Sequence, residues 1–298
     1  MNRPARLAVG VVSAGRVGAV LGAALARAGH TVVAASGVSK ESVQRAEELL
    51  PDVPLLPPDD VVSRADLVLL ALPDDALAGM VRGLAAADAL RPGQIVVHTC
   101  GAHGVEVLAP AVDHGALTLA LHPVMTFTGR AEDLERLTTC CFGVTAGDGD
   151  EAAWSVGEAL VMEMGAEPVR IPDAARPLYH TALAHGANHL VTLVAEAADL
   201  LREAGVGDPN RMLGPLLSAA LDNALRHGDR ALTGPVARGD VGTVRAHLRV
   251  LSEHAPDMLP TYRALAVRTA ERAEESGLLR ADLAPDVFAA LKSREDRR

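Results

Sequence analysis

Lysine occurs only at Lys40 and Lys292, whereas the chain of 298 residues holds 11 histidines. Proton transfer near neutral pH therefore falls to imidazole, whose unperturbed pKa of about 6.5 lets it act as acid or base. His180, Ala184 and Asn188 recur every four residues, so a helix there would carry them on one stripe. On that stripe an imidazole could protonate a developing oxyanion while the Asn188 amide holds the reacting molecule by hydrogen bonds. His122 follows an apolar run at 117–121 and precedes Pro123. That predicts a place at the carboxyl edge of a strand, where open α/β sheets bind ligands. His180 is the first expectation for a proton donor and His122 the second, each set against a structural, hydrogen-bonded histidine.

His98, Thr99, Cys100 and Gly101 end another apolar run and form a candidate substrate loop. Thr233 and Arg238 lie in a glycine-containing turn at 227–240, where Arg238 could clamp a carboxylate bidentately or pair with Asp240. A metal is not expected. His185 and His189 have the helical spacing of a zinc pair, but Gly186 stands where a catalytic Glu would be, and no third ligand follows at a recognised spacing. The His98, Cys100 and His103 spacing is weaker still.

The elements that must position these groups begin at 7–35, which reads as apolar strand, glycine turn, small-residue helix and second apolar strand. Ser13-Ala14-Gly15-Arg16-Val17-Gly18 stands in the G-x-G-x-x-G register of a dinucleotide site, with Ser13 in place of the first glycine. No carboxylate ends the second strand; Ser36-Gly37-Val38-Ser39-Lys40 does. Ser36, Ser39 and Lys40 suit a 2′-phosphate, so NADP is expected over NAD. Leu72 and Pro73, closing the third strand, are placed on the cofactor too. Two other readings compete: a domain of this shape that has lost its ligand, and a secretion signal, which Arg16 interrupts.

Strand signals at 65–72, 94–98, 117–121, 140–145 and 167–171 alternate with helical ones, and their continuous apolar runs suit a parallel sheet covered on both faces. Past Pro172 only helical patterns remain: 175–204, 209–226 behind Asp208, 240–254 behind Asp240 and 257–275 behind Asp257. The predicted fold is α/β, with a doubly wound, mainly parallel Rossmann domain at 1–172 and an all-helical substrate and dimerisation domain at 173–298. A net charge of −10 without a basic block argues against nucleic acid. A membrane span is not expected. Three cysteines, two of them adjacent, suit a reducing cytoplasm. The long helix carries more leucine and valine than a small domain can cover, which predicts a homodimer. Abundant alanine, glycine and arginine suggest a bacterial source.

Val97-His98-Thr99-Cys100-Gly101-Ala102, Leu121-His122-Pro123, Tyr179-His180 with Asn188-His189-Leu190, and 232–240 span nearly the whole chain. Together they resemble a bacterial family in which a Rossmann-like domain precedes a helical C-terminal domain of unknown function. That family lies within the 6-phosphogluconate and β-hydroxyacid dehydrogenase-like superfamily, beside alternative ketopantoate reductases, pyrroline-carboxylate reductase and prephenate dehydrogenase. The resemblance implies nicotinamide-dependent redox chemistry. Where many superfamily members carry a catalytic Lys four residues before an Asn, this chain has Ala184 before Asn188. The expected function is NADP-dependent reduction of a small carbonyl, imine or 2-oxo acid, with ketopantoate the specific candidate. The competing class is a non-catalytic NADP-binding or redox-sensing protein.

Overall fold

A computed structural model describes residues 6–293. The chain falls into two compact units, divided between Gly186 and Ala187. In the first, β1 (Ala8–Val12), β2 (Thr31–Ala35), β3 (Leu67–Leu70), β4 (Ile95–His98), β5 (Leu117–Pro123), β6 (Cys141–Thr145) and β7 (Glu167–Arg170) form one sheet. Its order is β2-β1-β3-β4-β5-β6-β7. Pairing is parallel except between β5 and β6. The fold class is as the sequence predicts: a mostly parallel Rossmann-like sheet followed by a helix-rich C-terminal region.

The helices of this unit are α1 (Arg16–Arg27), α2 (Lys40–Leu49), α3 (Pro58–Ser63), α4 (Asp74–Ala86), α5 (Ala109–Val112), α6 (Asp133–Leu137) and α7 (Glu151–Glu163). Alternation along β3 sends Leu67 and Leu69 into the layer with α1, α6 and α7, and Val68 and Leu70 into the layer with α3, α4 and α5. Both faces are covered, which is why the strands read as unbroken apolar runs. The strand order reverses between β1 and β3. The crevice at their carboxyl ends is where such sheets bind ligands.

Two boundaries differ from expectation in ways that matter. β5 runs on to Pro123, so His122 lies within the strand, opposite Gly143 of antiparallel β6, instead of following it. Asp257 does not cap a helix: Pro256–Met258 form a 3-10 turn, and the next helix starts after Met258 without a side-chain cap.

The helix α8 (Arg176–Glu203) is continuous, and its first turns belong to the first unit. The second unit then holds α9 (Pro209–His227), α10 (Gly234–Arg238), α11 (Val241–His254), α12 (Leu259–Glu275) and α13 (Ala284–Lys292). Its core is made by α10 to α13, through Val236, Val244, Leu248, Ala270, Val287 and Leu291. Asp240 caps α11 as expected, accepting from the Thr243 N–H. Among the described residues, no helix is long and apolar enough to cross a membrane.

Candidate active site

The turn from β1 to α1 sits at the reversal of strand order. Ser13 takes φ 74°, the left-handed conformation that the missing glycine would adopt freely. The turn is pinned from the end of β2. The Ser13 N–H donates to the Ser36 hydroxyl (2.9 Å), and the Ala14 N–H donates to the Ser36 carbonyl (2.6 Å). Ser36 therefore braces the turn with the hydroxyl that the sequence assigns to a 2′-phosphate. Ser39 is likewise engaged, capping α2 through the Ser42 N–H at 3.1 Å.

The two motif glycines have separate reasons. A Cβ on Gly18 would stand 2.1 Å from the Ser13 carbonyl oxygen and 2.9 Å from Cβ of Ala71, so only glycine lets α1 pack this close. A Cβ on Gly15 would meet nothing nearer than the Ser13 hydroxyl at 3.6 Å. Its bareness serves the open side of the turn. Gly15 caps α1 with extended backbone, no side chain caps the first turn, and that turn contains no acidic residue. Arg16, Val17 and Gly18 thus begin a helix whose N–H groups and dipole are presented to an anion, which fits a pyrophosphate. Lys40 is exposed at the first position of α2. Arg45, which sequence reading passes over, reaches back so that a Cβ on Gly129 would meet its Nε at 2.7 Å and Cγ of Arg16 at 3.0 Å. Pro73 occupies the N-cap of α4, and the Leu72 carbonyl accepts from the Cys100 thiol (3.5 Å).

A second group of side chains gathers at the carboxyl ends of β4 and β5, under the start of α8. Arg176 is fully buried, and every hydrogen bond it makes ends on a neutral oxygen. Nε donates to the Thr145 hydroxyl (2.8 Å), and the terminal nitrogens to the carbonyls of Gly143 (2.8 Å), Ala120 (3.0 Å) and Cys100 (3.4 Å). One turn on, the Tyr179 hydroxyl lies 2.8 Å from Nδ1 of His122. The His122 and His180 rings meet edge to face, centroids 6.1 Å apart. Gly101 is wedged against both: a Cβ there would lie 2.5 Å from Cδ2 of His180 and 2.9 Å from Nε2 of His122. Both expected donors, His122 and His180, are therefore brought together with one residue of the expected substrate loop, Gly101.

Charge in this group is set by burial. Burial pushes the His122 imidazole down to about 4, reinforced by the Arg176 guanidinium and by His180, with Asp74 opposing. His122 is thus neutral at physiological pH. Burial raises Tyr179 above the usual phenol range while Arg176 pulls the other way, and burial lowers Arg176. Asp74, at the first position of α4, bears on both Cys100 and His122.

The remaining expectations separate. His98 is fully buried; its Nε2 lies 3.0 Å from the Gly104 carbonyl, and its Nδ1 accepts from the Cys100 N–H at 3.2 Å. Both nitrogens are spent within the loop, so this imidazole ties the chain at 98–104 and offers nothing to a substrate. Burial holds it down to about 4. Asp173 secures the other end, accepting from the Val105 N–H at 2.7 Å. Thr99 and Cys100 are buried, and burial, with Asp74, raises the Cys100 thiol. Asn188, Thr233 and Arg238 belong to the second unit and are exposed. There Thr233 borders an apolar groove of about 350 Å³ between α8, α11 and α12. Arg176 gave no signal in sequence, because a lone arginine at a helix start reads as a solvated cation.

Residues 1–123 match the model of a Rossmann-like domain, and residues 140–269 match a domain of unknown function, DUF2520. No curated protein matches the sequence significantly. Among solved structures, the chain is similar to a candidate NADP oxidoreductase from Bacteroides fragilis, at 22% identity and TM-score 0.74, covering 89% of this chain and 98% of that one. A Thermotoga maritima protein gives 18% identity and TM-score 0.64, covering 90% and 99%. A reductive aminase from Aspergillus terreus, in complex with NADPH and ethyl levulinate, gives 17% and 0.62, covering 95% and 99%. These likenesses are likenesses of fold. The chain thus carries a match to a Rossmann-like domain followed by a match to DUF2520, in that order.

Proposed function

We propose that the protein is an NADP-dependent oxidoreductase that reduces a small carbonyl, imine or 2-oxo acid. The observation that carries this reading is His122: a neutral imidazole at the carboxyl edge of the sheet, its Nε2 making no hydrogen bond among the described residues. No buried side-chain polar atom lacks a partner among those residues, so this nitrogen is open to whatever enters. The uncapped start of α1 on the same sheet supports a dinucleotide. So do the Bacteroides candidate oxidoreductase and the Aspergillus enzyme bound to NADPH.

A bound dihydronicotinamide would supply the hydride. In this reading Gly15, Arg16, Val17 and Gly18 hold the pyrophosphate, and Lys40 with Arg45 faces the 2′-phosphate. His122 gives a proton to the atom that gains charge, with His180 beside it as the second candidate. The free thiols Cys100, Cys140 and Cys141 suit the cytoplasm. The working form is a homodimer through the helical unit.

The test is direct. NADPH should bind more tightly than NADH and be oxidised in the presence of at least one member of a panel of aldehydes, ketones, cyclic imines and 2-oxo acids, ketopantoate included. Lys40→Ala should narrow the cofactor preference by about 1 kcal/mol, the scale of one charge-assisted contact. Equal affinities would remove NADP as the cofactor. Tight binding without turnover would favour a non-catalytic NADP-binding or redox-sensing protein, a reading that Ser13 and the missing lysine support.

A further inference from the structure

We propose that Tyr179 is a positioning residue that fixes His122 as the tautomer protonated on Nε2 and replaces the proton that Nε2 gives away. The inference rests on the proposed reductase reading and deepens it, naming how a neutral imidazole can serve as the proton donor.

The geometry assigns each hydrogen. The Tyr179 hydroxyl lies 2.8 Å from Nδ1 of His122. Nδ1 of His122 is the hydrogen-bond partner of this hydroxyl among the described residues, so its proton is directed there. Arg176, with Cζ 5.6 Å from the Tyr179 ring centroid, cannot accept a hydrogen bond from the phenol, and its positive charge favours the phenol as a donor. Nδ1 of His122 is therefore the acceptor, and the imidazole proton resides on Nε2, the nitrogen without a partner. The charged and titratable groups around His122 agree: Arg176, Tyr179 and His180 from α8, and Asp74 from the start of α4. Only Asp74 favours a cation.

A neutral imidazole is a poor acid unless its far nitrogen is refilled. As hydride arrives at a carbonyl carbon, the new alkoxide takes the Nε2 proton while the Tyr179 proton moves to Nδ1. Two bonds break, Nε2–H and the tyrosine O–H. Two form, the substrate O–H and Nδ1–H. The imidazole stays neutral, and the negative charge passes to a phenolate beside the buried Arg176 guanidinium. Return of the Nδ1 proton to Tyr179, with a proton from water reaching Nε2, restores the pair. A neutral donor backed by a buried cation suits a carbonyl oxygen. It does nothing for a preformed iminium, which already carries its proton.

Imidazole nitrogen shifts of protein labelled at histidine, read without cofactor at pH 7, decide the tautomer. The His122 signal is the one that disappears in His122→Gln. It should show a protonated Nε2 and a bare Nδ1 in the parent, and Tyr179→Phe should show an averaged mixture of both tautomers. With a carbonyl substrate, Tyr179→Phe should lower kcat about tenfold, the loss of one ordinary hydrogen bond, with KM nearly unchanged. A parent protonated on Nδ1, or a Tyr179→Phe variant with unchanged nitrogen shifts, would overturn the proposal. The shifts decide it even where no carbonyl is turned over, an outcome that would overturn the reductase reading alone.

Discussion

Gly101 lies so close to His180 that a Cβ on it would stand 2.5 Å from the ring carbon Cδ2. The same Cβ would stand 2.9 Å from Nε2 of His122. Both obstacles are side-chain ends, so the rings rather than the backbone would give way. Gly101→Ala is expected to cost about 1 kcal/mol of stability, in the range of mild overpacking. Its effect on turnover should be larger, because Nε2 of His122 is the displaced atom. Comparing urea midpoints with kcat checks this: a variant that loses stability but keeps full activity would separate Gly101 from the site.

The glycines of the first turn should behave oppositely. Gly18→Ala places a methyl 2.1 Å from a backbone oxygen, which cannot swing aside, so this variant should fail to fold or lose several kcal/mol. Gly15→Ala meets nothing inside the protein closer than an ordinary contact with the Ser13 hydroxyl at 3.6 Å. It should keep its melting temperature within a few degrees and lose NADPH affinity, because its methyl occupies the side from which a phosphate approaches. Titration calorimetry beside thermal denaturation distinguishes the two. Similar behaviour in both assays would refute separate roles.

How much of this was legible in sequence depends on the range of the interactions. The opening βαβ unit is written locally, in apolar runs and glycine spacing, so the crevice between β1 and β3 could be anticipated. The partners of His98 lie within six residues, yet its role as a tie depends on the turn at 99–104, which composition does not encode. Arg176 is harder still. Its acceptors at Cys100, Ala120 and Gly143 come from three separate segments and are backbone carbonyls, which carry no sequence signature. The placement of Tyr179 depends equally on the antiparallel step from β5 to β6, which sets Gly143 opposite His122.

Acid should unfold the first unit through its buried imidazoles. His98 and His122 are held down to about 4 in the folded protein, against about 6.5 when unfolded, so between these pH values the unfolded chain binds more protons. The stability these neutral rings contribute is complete above pH 6.5 and falls as pH drops toward 4. The loss reaches on the order of 3 kcal/mol per group at most. Urea unfolding at about pH 7.5, 6, 5 and 4.5 should show this slope, and His122→Gln should flatten it. A slope unchanged in that variant would show that His122 does not titrate across the transition.

Quaternary structure is the last expectation, and it follows from helices that cannot stand alone in water. Along α9, Met212 and Leu216 project from one side and Leu221 and Leu225 from nearly the opposite side, and all four are exposed. Leu190, Val191 and Leu193 are exposed on α8. A helix apolar on two faces is normally buried, and the core of the second unit, made by α10 to α13, does not include α9. A second copy of the chain is the partner that is always present at matching concentration, and a twofold pairing lets one apolar surface cover itself. Sedimentation at micromolar concentration should give a dimer. Leu216→Glu with Leu225→Glu should shift it to monomer, because each charge would be buried without a partner. A parent that sediments as a monomer would refute the homodimer, and a dimer that survives both substitutions would move the interface away from α9.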